Sequence, residues 1–366
     1  MIYLLIITLF FVFSIIRSSN KLYKFSILLL YIFICYGYMC GSDWRVYETE
    51  YYNNFKTRLV EPGYMFCSNF FSNLGVNFWW FHILCKSLCF YSYYKFFSRI
   101  VDNKGRFFMW MLFLCSFGFM LFIDCPFRNL IAMSIVLWAF YRLFKKQYIA
   151  YYLLVILACL FHLSAVVLLV LPILHFEKIG NKMLCLIYFG VLFFFLLQLD
   201  KLVLKVILSP FPMIYNKLFY YEDMELFQGS VLSVGLILRL IFLFFMLRYR
   251  NWINLHYDNS GFIFNISFIY LLLSLFSYSI PIVYRLPFYL APFYVLMVYF
   301  ISERFSYINN IVFKSFYFCT ALIITYTTVT SKPYYIPYSN IIPYAIKGEF
   351  PNFTYRDTYN FKKSPF

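Results

Sequence analysis

KKQYIAYYLLVILACLFHLSAVVLLVLPILHFEKIGNK, residues 145–182, sets the architecture of the chain. Lys145 and Lys146 open it and Lys178 and Lys182 close it. The segment between them, Tyr148 to Glu177, carries almost no charge. Short basic connectors of membrane proteins face the cytoplasm. Both lysine pairs therefore lie on one side, and the segment between them crosses the membrane an even number of times. Its length makes two short helices of about 22 Å each at 1.5 Å per residue, with the hairpin tip at Phe161-His162-Leu163-Ser164. One long tilted helix ending in a surface segment is the competing arrangement, and it would leave His162 near the middle of the bilayer.

The same pattern extends in both directions. The 366 residues are 63% hydrophobic and 13% charged, with mean hydropathy +0.74, and apolar runs of about 15 to 22 residues recur throughout, the length that spans a bilayer as helix. The fold class that follows is an all-α polytopic membrane protein of about 12 transmembrane helices, some short or broken. The expected spans cover 2–16, 22–40, 76–97, 107–123, 127–144, 148–161, 163–177, 183–199, 230–247, 262–280, 286–302 and 308–329. Met1 to Ile16 reads as an uncleaved first span, because no positive charge precedes it and Arg17, Lys21 and Lys24 follow.

Basic residues orient the chain. Arg17, Lys21, Lys24, Lys95, Arg99, Lys104, Arg106, Arg142, Lys145, Lys146, Lys178, Lys182, Arg248, Arg250, Arg304 and Lys314 fall in one set of connectors. Arg45, Lys56, Arg58, Arg128, Lys201, Lys205, Lys217 and Arg285 fall in the other. The first set is twice the second and marks the cytoplasmic side. The net charge of +16 thus reports topology and not nucleic-acid binding. Two long loops, 41–75 and 200–229, and a tyrosine- and proline-rich tail, 330–366, are expected outside, the tail as a surface-draped segment. Seven of the ten cysteines sit in apolar runs as small core fillers. Cys40, Cys67 and Cys125 lie near outer ends, where one bridge is conceivable but not required.

Charge in such a chain persists where water or function holds it. Four groups converge on the outer half, where they would line a periplasmic-side cavity: Asp43 and Arg45 in the first loop, Asp124 with Arg128, His162, and Arg285 after Pro281. Arg239 lies inside a span. An arginine at mid-bilayer costs about 2.5–3.5 kcal/mol on insertion scales, so it faces a cavity or a partner, and a guanidinium matches phosphate oxygens in a bidentate fork. Clustered arginines there suit an anionic, diphosphate-bearing lipid headgroup. The plainer readings are that Arg128 and Arg285 snorkel to the interface, that Arg239 pairs with a buried acid or carbonyl, that His162 is a satisfied core histidine, and that Asp43 and Glu61 bridge to Arg45 and Arg58. His82, His175 and His256 read as structural. Nucleotide-binding, zinc-protease and serine-hydrolase signatures are absent from the sequence. The acidic run Glu222-Asp223-Met224-Glu225 reads as solvated loop, so no metal and no cofactor is expected.

Four stretches in order carry a resemblance: Gly41-Ser42-Asp43-Trp44-Arg45-Val46-Tyr47, Glu61-Pro62-Gly63-Tyr64, Arg128-Asn129-Leu130-Ile131-Ala132, and Leu157 to Ala165 around His162. Together with Arg285 and the tail segment Tyr335 to Asn340, they resemble the EpsG-type polysaccharide polymerases, grouped with the Wzy O-antigen polymerases. The resemblance implies a transmembrane polymerase domain over 1–329, in the bacterial inner membrane with its active site facing the periplasm. It would move a growing glycan from undecaprenyl diphosphate onto a lipid-linked repeat unit without metal or nucleotide sugar. On that reading Arg128 and Arg285 hold diphosphate oxygens and His162 takes the proton of the attacking hydroxyl. Arg239 or Arg45 grips the second substrate. Asp43 and Glu61 are the runner-up bases or sugar contacts beside Trp44, with Arg58 nearby.

The expected partners are undecaprenyl-diphosphate-linked oligosaccharides, membrane lipid and a chain-length regulator protein. The alternatives are an O-antigen ligase, which would use the same donor, and a lipid-linked oligosaccharide flippase. Ligases carry their large outer loop between late spans and flippases show paired repeats. Neither feature is evident in this sequence.

Overall fold

The computed structural model describes residues 1–16, 19–53, 61–101, 103–208, 210, 234–279 and 285–363. Arg58 and the Glu222 to Glu225 run lie outside them. Among the described residues the chain is helical, with no β-strand beyond one isolated bridge between Gly37 and Asn340. It is a helical membrane protein. Three helices, Phe127–Phe144, Leu286–Glu303 and Tyr307–Thr330, are by themselves long and apolar enough to cross a membrane, and shorter apolar helices accompany them. Helices overlap each of the expected apolar segments within the described residues, and further helices form in the expected loops and tail.

Two compact units divide the chain. The first joins Met1–Val166 to Tyr307–Phe366. Its helices are α1 (Ile2–Ile15), α2 (Asn20–Cys35), α3 (Trp44–Tyr52), α4 (Pro62–Asn73), α5 (Phe78–Ile100), α6 (Asn103–Phe113), α7 (Phe127–Phe144) and α8 (Tyr148–Cys159), with Tyr307–Thr330 returning late in the sequence. α1 packs on α6 and on Tyr307–Thr330, where the Phe11 and Phe318 rings stack at 4.0 Å. α5 packs on α7, and α7 on α8. Aromatic side chains fill the space between helices: Trp110 stacks on Phe90 and donates its indole N–H to the Tyr23 hydroxyl at 3.2 Å. The Arg106 guanidinium reaches back to the carbonyls of Ser98 and Val101, satisfying acceptors that the end of α5 leaves open.

After α6 the helix widens into two π-helical turns, Leu114–Gly118 and Met120–Asp124. Cys125 precedes Pro126, whose ring disfavours the helical conformation for the residue before it. Cys125 takes φ +54 instead and turns the chain into α7. The sequence suggested one uniform helix here, and the widened turns are invisible to apolar periodicity. They end on Asp124, immediately before the site.

The segment from Tyr148 to Ile173 breaks at its centre. α8 ends at Cys159, and Leu163–Ile173 continues as a 3-10 helix, so the break spans Leu160 to His162. Ala165, Leu168 and Leu171 are buried at intervals of three, the repeat of a 3-10 helix. A single uninterrupted α-helix is excluded.

The tail is mostly exposed or half-buried, with a few residues anchored in the first unit. It pairs its backbone with the start of the first loop: Tyr38 N–H donates to the Ser339 carbonyl (2.9 Å), Gly41 N–H to Tyr334 (3.0 Å) and Ile341 N–H to Tyr36 (3.0 Å). Tyr335, Ile341 and Asn360 are fully buried. The tyrosines and prolines that suggested a loose segment are apolar enough to pack once backbone partners exist. All ten cysteines are free thiols.

The second unit, Val167–Ser306, contains α9 (Asn181–Leu196), α10 (Leu199–Leu208) and the helices Val234–Arg248, Arg250–His256, Ser260–Ser279 and Leu286–Glu303. Its core is the packing of Ser260–Ser279 on Leu286–Glu303, with Tyr270 stacked on Tyr294 at 5.0 Å. Asn265 accepts from Phe176 N–H and donates to the Leu174 carbonyl, closing the end of the 3-10 segment.

Candidate functional site

The first loop, a connector by its sequence, forms two helices. α3 buries Trp44, Glu48 and Tyr51 at helical spacing and thereby aims Tyr47 at α7. α4 begins with Pro62, whose fixed φ suits a first helical position, and Glu61 stands at its N-cap without bonding the helix itself. Gly63 sets where α4 sits. Its N–H donates to the Leu160 carbonyl at 2.8 Å, and a Cβ there would stand 2.9 Å from that same oxygen. Only glycine permits this approach, which lays the start of α4 on the break after α8.

The consequence is a four-residue constellation. Glu61 Oε1 lies 3.0 Å from His162 Nδ1 and its Oε2 is bonded to Arg128 Nη1. Arg128 Nε donates to the Tyr47 hydroxyl at 2.8 Å. The Leu163 N–H points at Glu61 Oε1 from 3.4 Å. All three ionisable side chains are mostly enclosed, with 15–18% of their side-chain surface exposed. Burial pushes the Glu61 carboxyl up, but the His162 hydrogen bond, its own backbone N–H and the Arg128 charge outweigh that and hold it at about 2. Glu61 is therefore an anion at neutral pH and accepts a proton bond from His162 Nδ1. In the neutral ring, a proton on Nδ1 makes Nε2 the accepting nitrogen. Among the described residues neither His162 Nε2 nor Arg128 Nη2 has a hydrogen-bond partner. One carboxylate thus orients both the imidazole and the guanidinium.

Burial pushes the Tyr47 phenol up, with Arg128 opposing and Asp43 adding to the rise, so it stays protonated. Tyr47 ends the Gly41 to Tyr47 stretch, and nothing in its residue type alone marks it. The signal that would have found it is helical spacing in α3, which a loop assignment discards.

The other expected site residues have the following surroundings. Asp124 does not pair with Arg128. Its Oδ1 accepts from Ser42 N–H (3.0 Å) and Ser42 hydroxyl (2.8 Å), and Oδ2 pairs with Lys332 at 3.2 Å. Asp43 accepts from the Ser42 hydroxyl at 3.2 Å. Arg45 turns to the tail, bonding Asp357 Oδ1 (2.6 Å), the Asp357 carbonyl (2.8 Å) and the Gly41 carbonyl (2.8 Å), with the Trp44 ring 4.7 Å away. Trp44 itself is buried against Trp79 and Phe353. Glu48, unremarked in the sequence, forms a two-pronged pair with Arg356 at 2.6 and 2.8 Å. Arg239 is half-buried in Val234–Arg248 and Arg285 is exposed at the start of Leu286–Glu303, both in the second unit. His82 is buried against Phe127, His175 bonds Glu177, and His256 stacks on Trp252. No group of three or more His, Cys, Asp or Glu suited to a metal ion occurs among the described residues.

The EpsG family model matches residues 20–346, nearly the whole chain. The chain belongs to the EpsG family. EpsG is a Wzy-type, polymerase-like family, and membership assigns this chain broadly to polysaccharide polymerisation. The matched span contains Tyr47, Glu61, Arg128 and His162, and stops short of Arg356 and Asp357. No curated protein and no solved structure matches the chain.

Proposed function

We propose that this EpsG-family chain polymerises lipid-linked oligosaccharide repeat units, transferring the growing glycan from undecaprenyl diphosphate to a lipid-linked repeat unit at the periplasmic side of the bacterial inner membrane, within a bundle of about twelve spans. The observation that carries the reading is the Glu61 bridge between His162 and Arg128.

In the proposed reaction, a hydroxyl of the acceptor sugar approaches His162 Nε2, which accepts its proton. The oxygen attacks the anomeric carbon of the donor glycan. The bond from that carbon to the diphosphate oxygen breaks, and its electron pair leaves with undecaprenyl diphosphate. Arg128 Nη2 faces the charge that develops there. Such preplaced donors contribute most where water is scarce. Glu61 balances the charge: it stabilises the imidazolium formed at His162 and keeps Arg128 in position. Held at about 2, it is a poor base, so the runner-up assignment of the base to Glu61 gives way to an orienting role. Arg239 and Arg285 keep the substrate-binding roles that the family resemblance implies, each to be tested by its own substitution.

The test is polymerisation by purified full-length protein in lipid nanodiscs, supplied with lipid-linked repeat units and no energy source. Lengthening of the glycan supports the proposal. No lengthening, together with ATP-independent or gradient-driven movement of the lipid across vesicles, would indicate a flippase. In a deletion strain, lipid A bearing a single repeat unit agrees with polymerase, whereas loss of all attached glycan indicates a ligase.

A further inference from the structure

α4 exposes large apolar side chains along one face. That face carries Pro62, Phe66 and Phe70 and continues to Leu74 at the C-cap, at i, i+4 spacing, with Phe66, Phe70 and Leu74 exposed by 72%, 52% and 62%. The opposite face buries Tyr64 and Ser68 completely. In water such a stripe would be costly, because each large apolar side chain gains about 1.5–3 kcal/mol on leaving water. It is stable where it meets hydrocarbon, since lipid tails are as apolar as leucine. A patch of this kind on a protein marks a surface that is covered in use.

The stripe starts at the site. Glu61, which holds His162 and Arg128, is the N-cap of α4, and Pro62 is the first residue of both the helix and the stripe. Across the Gly63 contact, Leu160 and Leu163 are also exposed, and the Leu163 N–H lies against Glu61. An apolar track of about 18 Å, twelve residues at 1.5 Å each, therefore runs directly up to a cation and a base.

We propose that the exposed face of α4 is the docking track for the long isoprenoid chain of the lipid-linked substrate, which reaches the site sideways from the bilayer with its diphosphate at Arg128. This rests on the proposed polymerase reading and adds the route and binding surface of its lipid. The complementarity has two parts: at one end, for an anionic head, a guanidinium N–H without a partner among the described residues, and an uncharged apolar stripe continuing from it for an apolar chain. Phe66 and Phe70 present ring faces to an unsaturated chain and touch none of the ionised residues of the site.

The experiment uses full-length protein in nanodiscs with a photoreactive phenylalanine analogue placed at Phe66, Phe70 or, as control, Phe25, an exposed residue of α2. A radiolabelled polyprenyl-diphosphate oligosaccharide should crosslink at least tenfold more at Phe66 and Phe70 than at Phe25. Unlabelled polyprenyl diphosphate should compete, and excess phosphatidylglycerol should not. Equal labelling at all three positions, or displacement by phosphatidylglycerol, would overturn the proposal and leave the face as ordinary lipid contact. In parallel, the F66A/F70A double variant should raise KM about tenfold for a long-chain donor through lost apolar contact, with kcat unchanged. KM for a short-chain, water-soluble donor should stay as in the wild type. A rise for both donors would also overturn it. If wild-type protein lengthens no glycan, the polymerase reading fails, while the crosslinking contrast still decides the track.

Discussion

Glu61 Oε1 sits 3.0 Å from His162 Nδ1, across 101 residues of sequence, and the other oxygen of the same carboxylate holds Arg128. One anion therefore fixes the tautomer of the histidine and the orientation of the guanidinium. Replacement of Glu61 by Gln keeps the shape but removes the charge that stabilises an imidazolium. His162→Ala should lower polymerisation by at least about a hundredfold, the usual scale of general-base catalysis, and Glu61→Gln by roughly ten- to a hundredfold. Glycan ladders from nanodisc assays read both. Wild-type chain-length distributions from His162→Ala would remove the base assignment.

Arg128→Lys separates charge from geometry. Lysine keeps one positive charge but cannot serve Tyr47, Glu61 and a diphosphate oxygen from one planar fork. The Lys variant should lose nearly as much activity as Arg128→Ala while reaching the membrane at normal levels. Recovery of more than half the wild-type rate in the Lys variant would show that a point charge suffices.

The Glu61 carboxyl also predicts a pH dependence of stability. Its folded pKa, about 2, lies below the ordinary 4.5. Its contribution is therefore fully present above about pH 4.5 and is lost as pH falls toward 2. In detergent, the difference in thermal midpoint between wild type and Glu61→Gln should shrink as pH falls from about 4.5 toward 2. A difference that grows on acidification would contradict the sign.

Gly63→Ala tests the contact that assembles the site. The added methyl would stand 2.9 Å from the Leu160 carbonyl oxygen, a backbone atom with little freedom to retreat. α4 must shift, and Glu61 with it. Activity should fall by about tenfold or more, since a 1 Å misplacement costs on the order of a hundredfold, with only a modest change in thermal midpoint.

The tail makes a quantitative contrast between ion pairs. Glu48 and Arg356 are 5% and 11% exposed, whereas Lys332 opposite Asp124 is 47% exposed. Removal of one partner of a buried pair costs about 3–5 kcal/mol, and loss of an exposed pair at most about 1 kcal/mol. Arg356→Ala should therefore lower the thermal midpoint far more than Lys332→Ala. Equal effects would mean that the tail detaches readily.

The sequence by itself determined that this is a helical membrane protein and where its apolar helices run, though not α3 and α4, because a bilayer demands apolar segments of roughly one length. It also marked Glu61, Arg128 and His162, since ionised groups persist in apolar chain only at some use. It did not determine their partners. Asp124, grouped with Arg128 by closeness in sequence, bonds Ser42 and Lys332, while the partner of Arg128 comes from Glu61, 67 residues earlier. Tertiary structure alone decided this, through features that carry no periodic signal: the π turns that end on Asp124, the close approach at Gly63, and the tail that occupies Arg45. Apolar patterning reports which residues leave water, whereas the pairing of the few that stay charged depends on where distant backbones are brought into contact.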